Sequence, residues 1–178
     1  GPNSTLWGIN STGGVINVVT RSPFDGGGGG ARVDVGSYGA LNLQAGYTGN
    51  IGDSTFYNVN FSRRQADNDW REWNEFDTTQ FTIQPSWIFG DGWVWENFIS
   101  YTDADMQLPG RLIVNDRAHI DQWTPYLETG EVERSAEPWK HSSRNSEILF
   151  FGSKLVKRFG KVEFMPLLYL NSWSHFHP

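Results

Sequence analysis

In "LNLQAGYT", Leu41, Leu43, Ala45 and Tyr47 take every second place, and Asn42, Gln44, Gly46 and Thr48 fill the gaps. The same period runs through "ARVDV", where Ala31, Val33 and Val35 alternate with Arg32 and Asp34. In "FYNVNFS", Tyr57, Val59 and Phe61 oppose Asn58, Asn60 and Ser62. In "QFTIQPSWIF", Phe81, Ile83, Trp87 and Phe89 oppose Gln80, Thr82, Gln84 and Ser86. Successive side chains of a strand point to opposite faces, so each run predicts a strand with one apolar and one polar side. Later runs are less regular. "WVWENFISY" alternates until Asn97 and Phe98 break phase, while "EILFFGSKLVKRF" and "VEFMPLLYL" are apolar on both sides for part of their length. Pro85 and Pro166 each lack a ladder donor, which predicts a bulge or a local break in pairing. The expectation is all-β, with about seven strands.

Turn chemistry orders those strands. "NIGD" (50–53), "GDG" (90–92) and "FGK" (159–161) read as tight turns. Longer polar stretches lie near 64–77 and 103–142. Leaving aside the short "GSYGA" turn, short and long connections alternate, the asymmetry of a transmembrane β-barrel with short turns at one rim and long loops at the other. Aromatics make up 15% of the 178 residues, including nine Trp. Trp87, Phe89, Trp93 and Trp95 flank one short turn, which suits an interfacial girdle. No window approaches the roughly 18 consecutive apolar residues of a spanning helix, but a barrel strand needs only about 9–11. Without cysteine there are no disulfides or thiolate metal sites, and a net charge of −6 argues against a nucleic-acid partner.

The opening "GPNSTLWGINSTGGVINVVTRSP" narrows the class. It resembles the end of the plug domain in TonB-dependent outer-membrane receptors, whose pattern is approximately G-P-x-S-x-L-Y-G-x-x-x-x-G-G-V-I-N-x-x-T. Gly1, Pro2, Ser4, Leu6, Gly8, Gly13, Gly14, Val15, Ile16, Asn17 and Thr20 match it, and Trp7 stands where the family often has Tyr. A phosphate-binding loop would need a GK[ST] ending and a following helix, and neither is present. The resemblance implies a transmembrane antiparallel β-barrel of about 22 strands with an N-terminal plug. Residues 1–24 would then end the plug, 25–30 would be a glycine-rich tether, and 31–178 would begin the barrel. With no initiator Met and too few strands to enclose a plug, the chain is expected to be a piece of a longer protein.

By the same resemblance the function is energy-coupled uptake of a scarce ligand across the bacterial outer membrane. Ferric siderophores are the commonest class; cobalamin, haem and oligosaccharides are others. TonB would engage through a segment outside this chain, outer-membrane lipid and lipopolysaccharide would surround the wall, and no catalysis or cofactor is implied. Ligand-contact candidates are the loop aromatics and cations: Trp70, Arg71 and Trp73 in the first loop, and Arg111, Arg117, Trp123, Tyr126, Trp139 and His141 in the second. Aromatic rings can stack on catecholates, corrins or sugars, and Arg can pair with carboxylates or phosphates. Acids outnumber bases between 103 and 142, and "DADMQ" (103–107) offers oxygen donors of the kind calcium takes.

Two other classes fit parts of the pattern. A passive porin or adhesin barrel shares the alternation but has no plug. A soluble aromatic-rich β-sandwich that binds carbohydrate shares the strands but would confine its rings to a core and one binding face. Enzyme motifs such as HExxH and GxSxG are missing, and His175 and His177 have no candidate partners close in the sequence. On the barrel reading Leu43 and Val59 face outward, and Gln44 and Asn58 face inward.

Overall fold

The computed structural model describes residues 22–68, 73–108 and 142–177. These residues form eight strands in one antiparallel sheet and no helix. The strands are β1 (Gly28–Val35), β2 (Leu41–Ile51), β3 (Thr55–Ala66), β4 (Phe76–Phe89), β5 (Trp93–Gln107), β6 (Ser143–Phe159), β7 (Val162–Phe164) and β8 (Leu167–Phe176). Each of the first six pairs with the next, and β7 and β8 both pair with β6. At the short connections, between β2 and β3, β4 and β5, and β6 and β7, the turns leave the chain no course but to reverse on itself. Gly52 and Gly160 adopt φ of 63° and 61° in two of them, a left-handed conformation that a Cβ disfavours.

Both prolines behave in the same way. Residue pairing stops at Ile83↔Ile99 and resumes at Ser86↔Glu96 in unchanged register, so Pro85 opens the ladder without creating a bulge. Pro166 separates β7 from β8, yet Phe164↔Lys157 and Leu167↔Lys154 continue one register. The expected seven strands are therefore eight by this one interruption. The apparent phase break at Asn97 and Phe98 is also an exchange of residue types on an unshifted backbone. Asn97 sits on the apolar side, where its Nδ2 donates to the Pro85 carbonyl at 3.5 Å. Phe98 sits on the polar side, edge-on to Phe150 at 5.7 Å.

Strands extend further than the polar composition suggested. β3 continues to Ala66, β4 starts at Phe76 and β5 reaches Gln107, so the long connections are 67–75 and 108–142 rather than 64–77 and 103–142. Asp103 and Asp105 therefore lie in a strand and not in a calcium-binding loop. The glycine run is shorter as a tether than expected, because Gly28, Gly29 and Gly30 pair with Thr48, Tyr47 and Gly46 in β1. A Cβ on Gly29 would meet the Tyr47 ring at 2.6 Å, so glycine here makes room for a tyrosine lying across the neighbouring strand. The predicted "VINVV" strand and the plug-motif residues Gly8, Gly13, Gly14, Val15, Ile16 and Asn17 lie outside the described residues.

Register fixes the two faces. Ala45, Phe61, Phe81, Tyr101 and Leu149 stand in one row across β2 to β6. Beside it runs a second row of Tyr47, Val59, Ile83, Ile99, Phe151 and Leu170. The opposite face carries Gly46, Asn60, Thr82 and Ser100 in one row and Gln44, Ser62, Gln80 and Thr102 in another. Burial inverts the usual rule. Among the described residues Ala66 is the sole buried hydrophobic, whereas Thr48, Asn58, Gln84, Ser86, Ser100 and Ser146 are all buried on the polar face. Phe81 is 42% exposed on the apolar side while its strand neighbour Gln84 is 8% exposed on the other.

Candidate functional site

The polar face is concave, since side chains from β1 to β5 line a single cavity of about 800 Å3. Its wall includes Gly30, Gly46, Thr48, Asn58, Asn60, Gln80, Thr82, Gln84 and Phe98, none of them charged. Alternation puts every second residue of four strands into this wall, and the sequence fills those places with amides, hydroxyls and glycine. Asn60 Nδ2 donates to Asn58 Oδ1, and the Thr82 and Ser100 hydroxyls lie 3.3 Å apart. Such a surface recognises through hydrogen bonds rather than charge, and fits either exposed backbone or a polyhydroxylated surface.

A second cavity of about 550 Å3 adjoins it, lined by Ser22, Pro23, Ser86, Glu96, Phe98, Phe150, Lys154 and Tyr169 among others. Lys154 pairs with Glu96 across β6 and β5. Ser86 Oγ is fully buried there and has no hydrogen-bond partner among the described residues. The segment leading into β1 reaches the same face: Pro23 is buried, and Phe24 meets Phe56 edge-on at 4.8 Å. The chain thus approaches the sheet from its concave side.

At the long-loop rim a belt of hydrogen bonds joins the connections. The amides of Asp67 and Asn68 both donate to the Tyr38 carbonyl at 3.1 Å, which ties the first turn to the end of β3. Asn68 Nδ2 then donates to the Asn74 carbonyl at 3.0 Å. Glu75 and Gln107 exchange two bonds, Gln107 N to Glu75 O at 2.9 Å and Glu75 N to Gln107 Oε1 at 3.0 Å. The Ser142 carbonyl accepts from Leu108 N at 2.9 Å and from the Trp73 indole N–H. Tyr38, Asn68 and Trp73 all hold positive φ, between 49° and 60°, strain that the belt offsets.

Of the ligand-contact candidates, Trp73 is the one the structure describes, and its indole N–H is committed to the second loop's base. Trp70, Arg71, Arg111, Arg117, Trp123, Tyr126, Trp139 and His141 lie outside the described residues. Sequence reading missed the partners Tyr38, Glu75, Gln107 and Ser142, because contacts between residues far apart in the chain leave no local signal. His175 and His177 do have partners, on β6: Ser146 Oγ at 2.9 Å and the Ser143 carbonyl at 3.0 Å.

Aromatic rings gather on the apolar face near the short turns. Trp87 and Trp95 face each other at 5.0 Å, Trp93 meets Phe159 at 6.2 Å, and the Lys157 ammonium stands 5.9 Å from both rings of the latter pair. Trp95 Nε1 donates to Ser153 Oγ at 2.8 Å, giving that hydroxyl a partner on the aromatic face. What the fold defines is an all-β protein built on one antiparallel meander, polar on its sheltered face and apolar on its open one. Compared with models of protein families, with curated proteins and with solved structures, the chain matches none.

Proposed function

We propose that this sheet is part of the wall of a β-barrel in the bacterial outer membrane, and that the barrel belongs to a TonB-dependent transporter importing a scarce ligand, a ferric siderophore foremost. The observation that carries the membrane reading is the inverted burial, apolar side chains open and polar side chains sheltered. Dimensions support it. The eight steps from Phe81 to Phe89 in β4 cover about 26 Å along the strand at about 3.3 Å each. With a tilt of about 40° the height is about 20 Å, close to the roughly 25 Å apolar band of such barrels. Charges bracket that band on the same face. Arg63 and Asp77 pair at 2.5 Å beyond its loop end, and Lys157 and Asp91 pair at 3.5 Å near its turn end.

The transporter reading rests on the plug-like motif of residues 1–20 together with the entry of Ser22–Phe24 onto the concave face. On this reading the uncharged amide wall faces the plug, lipid and lipopolysaccharide cover the apolar face, and the 67–75 and 108–142 connections meet the ligand outside the cell. TonB acts through a segment beyond this chain, and no cofactor takes part. Two measurements test the proposal. The polypeptide that carries this sequence, isolated from outer membranes, should have a mass several-fold above the chain's 20.2 kDa. Uptake of radio-iron as a siderophore complex should depend both on that polypeptide and on TonB. A native mass near that of the chain, or recovery in the soluble fraction, would overturn the barrel; uptake of every siderophore tried without either component would overturn the cargo.

A further inference from the structure

One pair of side chains carries chemistry that transport does not use. His175 in β8 and His177 immediately beyond it stand two residues apart, so both project from the polar face beside Trp173. Their ring centroids are 4.5 Å apart with an interplanar angle of 84°, and Trp173 lies 5.3 Å from His175. Each ring is tied to β6 through Nδ1. His177 bonds the Ser143 carbonyl at 3.0 Å, and because a carbonyl only accepts, Nδ1 carries the proton and the Nε2 lone pair is left over. His175 bonds the buried Ser146 hydroxyl at 2.9 Å, which can accept from Nδ1 in the same way. Neither Nε2 has a hydrogen-bond partner among the described residues.

Metal-binding imidazoles are held in this manner, one nitrogen bonded to an oxygen that sets tautomer and orientation, the other turned to the ion. We infer that His175 and His177 form a two-nitrogen chelate for a first-row divalent cation. Cu2+ is held most tightly, with Ni2+ and Zn2+ behind it, and water completes the coordination. Two imidazoles on one ion at about 2.0–2.1 Å have centroids about 4.5–5 Å apart, which is the spacing the two rings already hold. Among the described residues no group of three or more His, Cys, Asp or Glu gathers to hold a metal, so this is an open chelate and not a closed structural site. Arg144, two residues before Ser146 on the same face of β6, opposes a bound cation.

The pairing of the two rings does not depend on whether the sheet closes into a transporter, and neither does its test. The full-length polypeptide carrying this sequence is purified, in detergent if it fractionates with membranes and in buffer if it does not, and titrated with Cu2+, followed by calorimetry and by electron paramagnetic resonance. The wild type should show coupling to two imidazole nitrogens. His175→Gln and His177→Gln should each weaken Cu2+ binding by about tenfold or more and remove one nitrogen from the spectrum. Arg144→Gln should tighten binding, while His119→Gln and His141→Gln should leave affinity and spectrum as they were. Circular dichroism, which reads the β-sheet whether or not it closes on itself, checks that each variant has folded. Wild-type affinity and nitrogen coupling in both folded His175 and His177 variants would overturn the site, as would their loss in the His119 or His141 variant.

Discussion

The two faces of this sheet have the same backbone and opposite surroundings. On one, Phe61, Phe81 and Tyr101 lie side by side and stay open; on the other, Asn58, Gln84 and Ser100 are sheltered. In a water-soluble sheet the open face would be the polar one, because each exposed apolar Å2 carries a penalty of about 25 cal/mol. Here hydropathy and burial run against each other at the centre of the meander, in β3 to β5. The difference teaches that the solvent of the open face is to be read from the residues themselves, and the proposed bilayer is the solvent that suits them.

The comparison can be broken by moving a charge to the wrong side. Val59→Arg, set among Tyr47, Ile83 and Phe61 on the open face, should destabilise the folded protein by about 2–4 kcal/mol in lipid if it lies near the midplane. Equilibrium refolding into vesicles measures this, and an unchanged midpoint would refute the proposed facing. Steric crowding on the same face comes next. A Cβ at Gly49 would meet the Tyr47 and Tyr57 rings at 2.8 Å, so Gly49→Val should cost about 1–3 kcal/mol by overpacking. The same refolding assay reports it, and Gly52→Ala in the adjacent turn serves as a backbone-strain control.

A smaller effect probes the rim. Trp73→Phe removes the indole donor to the Ser142 carbonyl and should cost about 1 kcal/mol. It should also raise the rate at which protease cuts within 109–141 in intact folded protein, and equal cutting rates would show that the bond does not tether the loop. The smallest effect is expected on the polar face. Gln44→Ser keeps an exposed place on that face polar, and stability should change by no more than about 0.5 kcal/mol. A loss as large as that of Val59→Arg would erase the distinction between the faces.

Much of this sheet was readable in the sequence because alternation is a local property. Leu41 to Tyr47, Tyr57 to Phe61 and Phe81 to Phe89 fall on the side their spacing assigned, and the turns at Gly52, Gly90–Gly92 and Gly160 reverse the chain where glycine and aspartate marked them. Strand ends were less legible. Arg64, Asp77, Asp103 and Asp105 look like loop residues, but they sit where strands project past the apolar band and polar side chains are welcome on both faces. The exchange at Asn97 and Phe98 was visible but misleading, since it answers a proline on one neighbouring strand and a diagonal aromatic partner on the other. The rim belt was invisible, because the Trp73–Ser142 contact joins residues 69 positions apart.

The β5–β6 register has a consequence for how such a molecule can change. Pairing runs without a slip from Val94↔Val156 to Gln107↔Ser143, although 35 residues, 108 to 142, connect the two strands. The ladder closes beneath the insertion as if it were a hairpin. Lengthening a flexible connection twofold adds only about 0.6 kcal/mol to the entropy of closure. The scaffold is therefore nearly blind to what hangs from Gln107 and Ser143, and that segment can be replaced, grown or trimmed by descent while the strands below keep their partners.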